Sequence, residues 1–452
     1  MSIMRRLIDQ TTAENRTNQD TRWGSQPRNL DAALNRAMRQ TTAILLLWAV
    51  AWLASCTSLS PLRANSAVNP KNSVATQDGY KIAFIEFGEQ GSYQDPTQLK
   101  NALNLISDTD KPLVITYVHG WQNNAESGDV GRFESLLARL NRAPAIRDIG
   151  FHVVGVYLGW RGKLTAVPVI KEISFWNRKA TAERLASNYD CYDAIASISE
   201  ETRKHGVGQQ YTILLGHSFG GLIVERSVAH AINAEIHGHA NTDRSMPADL
   251  MIAVNPAADS ILARQMIEAL YSRRTERTRP LFVSITSTGD CATGTAFPIG
   301  TGLASLSKGF NKVHSPGPNG VMQTERKFYT STPGHNQMLI NHETIPLHKT
   351  INSPHGHPAL ETNLEHNLAA DVFTLDHGTG RLDLWQIKQV GDVDVPYWNV
   401  KVDPTIIKDH SDLWNEKAEA MMAAIFRIAN PKLNPYAKPR AVLRKPADFN
   451  RM

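Results

Sequence analysis

The stretch from Tyr211 to Gly221, YTILLGHSFGG, constrains the fold more than any other part of the chain. Its first five residues are apolar or β-forming, and the residues that follow place apolar side chains at helical spacing. A strand, a sharp turn and a helix are therefore predicted. Glycines two positions before and after Ser218 let the strand and the helix pack closely, which would leave the serine hydroxyl exposed on a strained backbone.

This pattern resembles the nucleophile elbow of the α/β-hydrolase superfamily, in particular of its serine esterase and lipase branch. The resemblance implies an α/β-hydrolase fold, with a mainly parallel sheet covered by helices on both faces, and it implies that Ser218 is a nucleophile. A bare G-x-S-x-G pentapeptide also arises by chance. Here the strand before it and the helix after it supply the context that the motif requires.

Apolar runs alternate with helical patterns along the chain, which independently predicts a mainly parallel, doubly covered sheet. The predicted strands are 80–87, 113–118, 151–159, 211–215, 250–254, 281–285 and 397–402. Helices are expected near 99–106, over 178–204, after residue 221, between residue 259 and about residue 273, and after residue 410.

Residues 291–396 break this rhythm, because they are rich in Gly, Pro, Ser and Asn. Hairpin-like segments are predicted there at 371–375 and 381–387. An irregular insertion before the last strand would lie beside the rim of the site, so we expect a cap or lid. Its histidines match no ordered metal-ligand spacing and no cysteine joins them, which favours hydrogen-bonding roles over a metal site. These histidines are His314, His335, His342, His348, His355, His357, His366 and His377.

The sequence His119-Gly120-Trp121 follows the predicted strand at 113–118. In α/β-hydrolases the loop after this strand gives one backbone N–H to the oxyanion hole, and an HGx sequence is its usual form. The resemblance therefore implies an oxyanion hole made by the amides of Trp121 and Phe219. The pair VHGWQNN and YLGWRG is also similar to a group of bacterial hydrolases of largely unassigned function.

The resemblance implies an acid and a base at the ends of later strands. The superfamily's acid usually follows the second strand after the nucleophile strand, which selects Asp290. Asp259 is the alternative acid, although it also flanks the start of a predicted helix. His410, between the last strand and the C-terminal helix, has the position of the superfamily's base, and His377 is the alternative. The order Ser218, Asp290, His410 is that of α/β-hydrolases.

The front of the chain predicts export and a lipid anchor. Ala43 to Ser55 is uncharged and apolar, and it is shorter than the about 20 residues that span a bilayer. It ends in Leu-Ala-Ser before Cys56, which resembles the lipobox of bacterial lipoproteins. The resemblance implies that Cys56 is lipidated and that the folded part is tethered at the bacterial envelope, in the periplasm or at the surface, with the outer membrane favoured. A short membrane anchor with a cytoplasmic tail is the alternative.

Met38 has the position expected for the start of the signal peptide, which would cover 38–55 and leave 1–37 as a polar leader that is not translated. We expect a flexible tether over 56–79, because that stretch is rich in Ser, Asn and Pro. The hydrolase domain is predicted over 80–430. A basic, Pro-rich tail follows over 431–452.

Composition and charge are those of a globular protein and argue against nucleic-acid binding. The 452 residues are 42% hydrophobic and 20% charged, which is ordinary for a globular chain that buries a core. The net charge of +5 is not gathered into a basic stripe, and no nucleic-acid-binding motif is present. Cys191 and Cys291 are the only cysteines after Cys56, and their pairing stays open.

The sequence thus predicts a serine hydrolase that cleaves carboxylic esters through an acyl-enzyme intermediate. The substrate is expected to be an acyl ester, including a lipid, because the enzyme would be held at a membrane. No metal or organic cofactor is required. An acyltransferase of the same fold and a non-catalytic envelope scaffold are the alternatives.

Overall fold

The computed structural model describes residues 36, 38–42, 44, 61–63, 72–163, 168–236, 246–272, 279–306, 308–310, 314–316, 322–352, 371–376, 381–390 and 395–430. The chain divides into two compact units, Met1–Ser58 and Leu59–Met452. In the first unit residues 38–42 are helical, whereas Cys56 and most of the predicted leader and signal peptide lie outside the described residues. The described helices include none that is both long enough and apolar enough to cross a membrane.

The second unit is built on a sheet of eleven strands. The strands of this unit are β1 (Val74–Gln77), β2 (Tyr80–Glu86), β3 (Pro112–Val118), β4 (His152–Gly159), β5 (Tyr211–His217), β6 (Leu250–Val254), β7 (Phe282–Ser287), β8 (His314–Pro316), β9 (Met322–Thr324), β10 (His342–Asn352), β11 (Val372–Asp376), β12 (Arg381–Gln389) and β13 (Tyr397–Val402). β8 and β9 form a small separate hairpin, and the other strands form the main sheet. The order across the main sheet is β1-β2-β4-β3-β5-β6-β7-β13-β10-β12-β11. From β2 to β10 all neighbours are parallel, and the pairs at the two ends are antiparallel.

Helices cover both faces of this sheet. They are α1 (Pro96–Ser107), α2 (Gly128–Arg142), α3 (Pro144–Ile149), α4 (Pro168–Ser187), α5 (Tyr189–Arg203), α6 (Phe219–Ile236), α7 (Ser260–Ser272), α8 (Phe297–Ala304), α9 (Glu325–Tyr329) and α10 (Glu416–Ala429). Ile85 of β2 packs in one hydrophobic cluster with α6, while its neighbour Phe84 packs in a second cluster with α10. Because successive strand residues point to opposite faces, the two clusters mark the two covered sides. The prediction of a mainly parallel, doubly covered sheet is confirmed.

The predicted single helix over 178–204 is two helices. Asn188 separates α4 from α5, and its side chain accepts a hydrogen bond from the Asp190 amide. An asparagine in this position satisfies an amide that has no partner inside the helix, so it starts a new helix rather than continuing the old one.

The prediction of an irregular insertion over 291–396 is wrong for its second half. There β10, β12 and β11 extend the main sheet beyond β13, and β11 with β12 forms the predicted hairpin. The sequence obscured β10 because a strand near the end of a sheet tolerates polar residues, and this one carries Pro346 and a register shift between Leu347 and Thr350.

The domain also begins earlier than predicted. β1 pairs with β2 in a stretch that was expected to belong to the tether. Upstream of it, the Leu62 and Arg63 amides donate hydrogen bonds of 3.0 and 2.7 Å to the carboxylate of Glu86. The Arg63 guanidinium lies 4.3 Å from the centre of the Phe84 ring. The prediction of a flexible tether up to Gly79 is therefore wrong for β1 and for Leu62 and Arg63. β1 belongs to the sheet, and the buried Glu86 carboxylate fixes the backbone of Leu62 and Arg63.

Candidate active site

Ser218 occupies the turn between β5 and α6 in a left-handed backbone conformation with φ +57°. That conformation is strained for a residue with a Cβ atom. The turn is tight enough that a Cβ atom on Gly216 would lie 2.6 Å from the Gly220 carbonyl oxygen. A Cβ atom on Gly220 would collide with the carbonyl group of Val118 on the neighbouring strand. The predicted strand, sharp turn and helix are confirmed, and both glycines are required by close approach.

The imidazole of His410 joins the other two predicted residues. Its Nε2 lies 2.8 Å from Ser218 Oγ, and its Nδ1 lies 2.8 Å from Asp290 Oδ2. His410 is on the loop between β13 and α10, and Asp290 is on the turn after β7. Parallel strands end at the same edge of a sheet, so side chains that are far apart in sequence meet here.

Asp290 is held by its own turn. The Ala292 and Thr293 amides donate hydrogen bonds of 2.9 and 3.1 Å to Oδ1, and the Thr293 hydroxyl donates to Oδ2. Burial raises the pKa of the Asp290 carboxyl, but the hydrogen bond and charge of His410, together with Thr293, outweigh burial and bring that pKa below its usual value. Asp290 is therefore a carboxylate that fixes the orientation of the imidazole.

The alternative acid lies elsewhere. Asp259 pairs with cations on the adjacent helices, at 3.4 Å from Arg226 Nη2 and 3.9 Å from Lys179 Nζ. Of the two candidate aspartates, Asp290 is the one that the structure brings to His410. The alternative base, His377, lies outside the described residues.

The loop after β3 lies directly against the Ser218 turn. A Cβ atom on Gly120 would be 2.8 Å from Ser218 Cβ and 3.0 Å from the His217 carbonyl oxygen. The Trp121 amide has no acceptor among the described residues. Phe219 is the first residue of α6, where an amide has no acceptor within the helix. The two predicted oxyanion donors thus follow Gly120, which packs against Ser218, and Ser218 itself, and no acceptor for either amide is found among the described residues.

His119, in the same loop, has a structural position. Its ring is fully buried and parallel to the Trp160 indole, with centroids 5.5 Å apart. The Trp160 amide donates to His119 Nε2 at 3.0 Å, so the ring proton is on Nδ1, which lies 2.9 Å from the Gly120 carbonyl oxygen. Trp160 Nε1 donates to the His119 carbonyl oxygen at 2.9 Å. The two motifs HGW and GWRG therefore bind each other and hold the loop beside Ser218.

The sequence analysis missed two residues that hold the loop of His410. His217 Nε2 lies 2.7 Å from the His410 carbonyl oxygen, and Asn255 Nδ2 donates to the same oxygen at 3.1 Å. Asn255 Oδ1 also accepts from the Ser287 amide at 2.9 Å. Both residues are polar and stand at the carboxyl ends of buried strands, which is the sequence signal that could have identified them.

Acid is expected to destabilise the fold through the buried histidines His119 and His217. Burial lowers the pKa of each imidazole from 6.5 to about 4, and the charge of His410 adds to this effect for His217. The unfolded chain binds these protons at a higher pH than the folded chain does. The free energy of unfolding should therefore fall as the pH falls from 6.5 to about 4, by about 3 kcal/mol for each histidine.

His217→Gln tests this expectation, because glutamine keeps an N–H near the position of Nε2 and does not titrate. The variant should lose about half of the pH dependence that His119 and His217 produce together. Urea unfolding at pH 7 and pH 4.5 measures it, with the exposed His152→Gln as the matched control. An unchanged pH dependence in His217→Gln would contradict the assignment.

The remaining histidines and cysteines of the described residues have structural surroundings. Within it, no group of three or more His, Cys, Asp or Glu side chains is placed to hold a metal ion. His342 is buried, lies 2.9 Å from Asn341 Oδ1 and stacks on Trp398. Cys191 is buried and Cys291 is exposed, and both are free thiols.

A serine hydroxyl, an imidazole and a buried carboxylate in one line of hydrogen bonds can perform nucleophilic acyl transfer. The imidazole can take the hydroxyl proton while the carboxylate holds its tautomer, and backbone amides beside such a serine can stabilise a developing oxyanion. Searches against protein-family models, curated proteins and solved structures returned no match to this chain.

Proposed function

We propose that this protein is a serine hydrolase of the α/β-hydrolase type that cleaves carboxylic esters. The observation that carries the proposal is the position of His410. Its Nε2 lies 2.8 Å from Ser218 Oγ, and its Nδ1 lies 2.8 Å from Asp290 Oδ2. The left-handed conformation of Ser218 and the Trp121 amide, which has no acceptor among the described residues, support it further, because a covalent nucleophile and an oxyanion hole require such features.

In the proposed reaction His410 accepts the proton of Ser218 as the hydroxyl oxygen attacks the ester carbonyl carbon. The Trp121 and Phe219 amides stabilise the tetrahedral oxyanion, and each such donor is typically worth about 3 kcal/mol. His410 then gives its proton to the leaving alcohol, and an acyl-enzyme forms. Water attacks this intermediate with His410 as base, which releases the acid and restores the Ser218 hydroxyl.

The proposed location is the bacterial envelope. The support is the apolar run that ends at Cys56, whose lipidation would tether the domain to a membrane. Cys56 lies outside the described residues. Such a location makes acylated envelope compounds, including lipids, the proposed substrates.

A fluorophosphonate probe tests the chemistry without a known substrate. We expect stoichiometric labelling of Ser218, because the probe reacts much faster with a serine that a neighbouring base activates than with an ordinary hydroxyl. A panel of p-nitrophenyl esters from acetate to palmitate then distinguishes an esterase from a lipase by acyl-chain length. Folded protein that neither reacts with the probe nor turns over any ester would contradict the proposal.

A further inference from the structure

Helix α8 exposes an aliphatic face next to the candidate site. The helix begins a few residues after Asp290, and Ile299, Leu303 and Leu306 are 61%, 66% and 70% exposed. Their spacing of four and then three residues places them on one side of the helix and of the turn that follows it. An exposed cluster of large aliphatic side chains marks an interaction surface rather than an ordinary surface helix.

The inward face of the same helix is mostly polar. Phe297, Thr301 and Ser305 are buried there. The Thr301 hydroxyl donates to the Phe297 carbonyl oxygen at 2.8 Å, and the Ser305 hydroxyl donates to the Gly302 carbonyl oxygen at 2.9 Å. The hydroxyls are thus satisfied by their own helix, while the aliphatic side chains face outward. A helix on the surface of a water-soluble protein usually has the opposite arrangement, with its aliphatic side chains toward the core and its polar side chains toward water.

Cationic side chains lie at the C-terminal end of this face. Residues 291–307 contain no charged side chain, and the exposed Lys308 follows them directly. Its charge also acts on the carboxylates of Glu183 and Asp259. Arg326 Nη2 donates to the Gly302 carbonyl oxygen at 3.3 Å, which places this cation at the helix. Over 291–331 the sequence has four Lys or Arg residues and a single acidic residue. A second copy of the chain would bring two cationic rims together, whereas an anionic lipid surface would neutralise one.

We infer that α8 docks on the surface of an anionic phospholipid bilayer. Ile299, Leu303 and Leu306 enter the boundary between headgroups and acyl chains, and the cations at Lys308 and Arg326 contact lipid phosphates. This surface does not depend on the chemistry of Ser218.

Aromatic contacts connect α8 to the candidate site. Trp176 lies against Gly300 of α8, and its neighbour Phe175 packs edge-on against Trp121 with ring centroids 5.2 Å apart. Phe175 also contacts Phe219, with centroids 4.9 Å apart. Docking of α8 could therefore act on the candidate oxyanion loop through these aromatic side chains. The presentation of a lipid ester to Ser218 is the only part of this inference that rests on the proposed function.

Vesicle flotation of the full chain tests the docking. The chain carries Cys56→Ala, which removes the predicted lipid anchor, and Ser218→Ala, which removes any hydrolysis. We expect binding to vesicles that contain phosphatidylglycerol, weaker binding to phosphatidylcholine alone, and a decrease with salt. Adding Ile299→Ser, Leu303→Ser and Leu306→Ser should lower the partition coefficient more than about tenfold.

Val207→Ser is the matched control, because Val207 is a fully exposed aliphatic residue in the turn before β5. This variant should bind vesicles as the parent does, and circular dichroism should show that every variant is folded. The inference is overturned if the parent does not float with anionic vesicles, or if the triple variant floats equally well. It is also overturned if the triple substitution abolishes a dimer in sedimentation while neither protein floats. Because every protein in the flotation assay carries Ser218→Ala, none of these outcomes tests the proposed hydrolysis.

Discussion

Ser218→Ala is expected to lower kcat/KM for p-nitrophenyl esters by about 10⁴-fold or more, which corresponds to about 5.5 kcal/mol of transition-state stabilisation. The substitution removes the atom that would form the acyl-enzyme and leaves His410 without its 2.8 Å partner. The oxyanion amides remain, so a residual rate above that of water is expected. Steady-state kinetics on the best ester of the panel measures the loss.

Ser199→Ala is the matched control for this experiment. Ser199 is a buried serine on α5, and its hydroxyl has no hydrogen-bond partner among the described residues. Its removal should leave kcat/KM within about twofold, because no buried polar atom loses a partner. The proposed nucleophile is wrong if Ser218→Ala keeps more than about a tenth of the parent activity while it remains folded.

Asp290→Asn is expected to lower kcat by about 10³ to 10⁴-fold with little change in structure. The carboxylate accepts a hydrogen bond from His410 Nδ1–H, and this leaves Nε2 unprotonated and able to accept the Ser218 proton. An asparagine amide would donate to Nδ1 instead and force the ring proton onto Nε2, where it blocks the base. The loss should appear in kcat rather than in KM, because the substrate does not contact Asp290.

Asp259→Asn separates the two aspartates. Asp259 pairs with Arg226 and Lys179, which also have Glu183 as a partner, so its substitution should change kcat by less than about threefold. If Asp259→Asn lost more activity than Asp290→Asn, the acid would be misassigned and the geometry around His410 would not represent the working state.

The buried parallel strands of the fold could be predicted from local sequence. β3, β6 and β13 match their predicted ranges to within one residue, because buried parallel strands are continuous apolar runs. β10 was missed because its pairing partners β12 and β13 are distant in sequence. Likewise, the backbone of Leu62 looked like a linker, since nothing in its own stretch indicates that Glu86 holds it.

The sequence by itself determined the Ser218 turn and the residues able to act as its acid and base. An elbow is a local structure, so a strand pattern, two glycines and a helix pattern suffice to predict it. The tertiary structure decided that Asp290, and not Asp259, reaches His410, and that His217 and Asn255 hold the loop of His410. The contacts of His410 with Asp290 and Ser218 span 120 and 192 residues, so only the packed sheet brings these side chains within hydrogen-bonding distance.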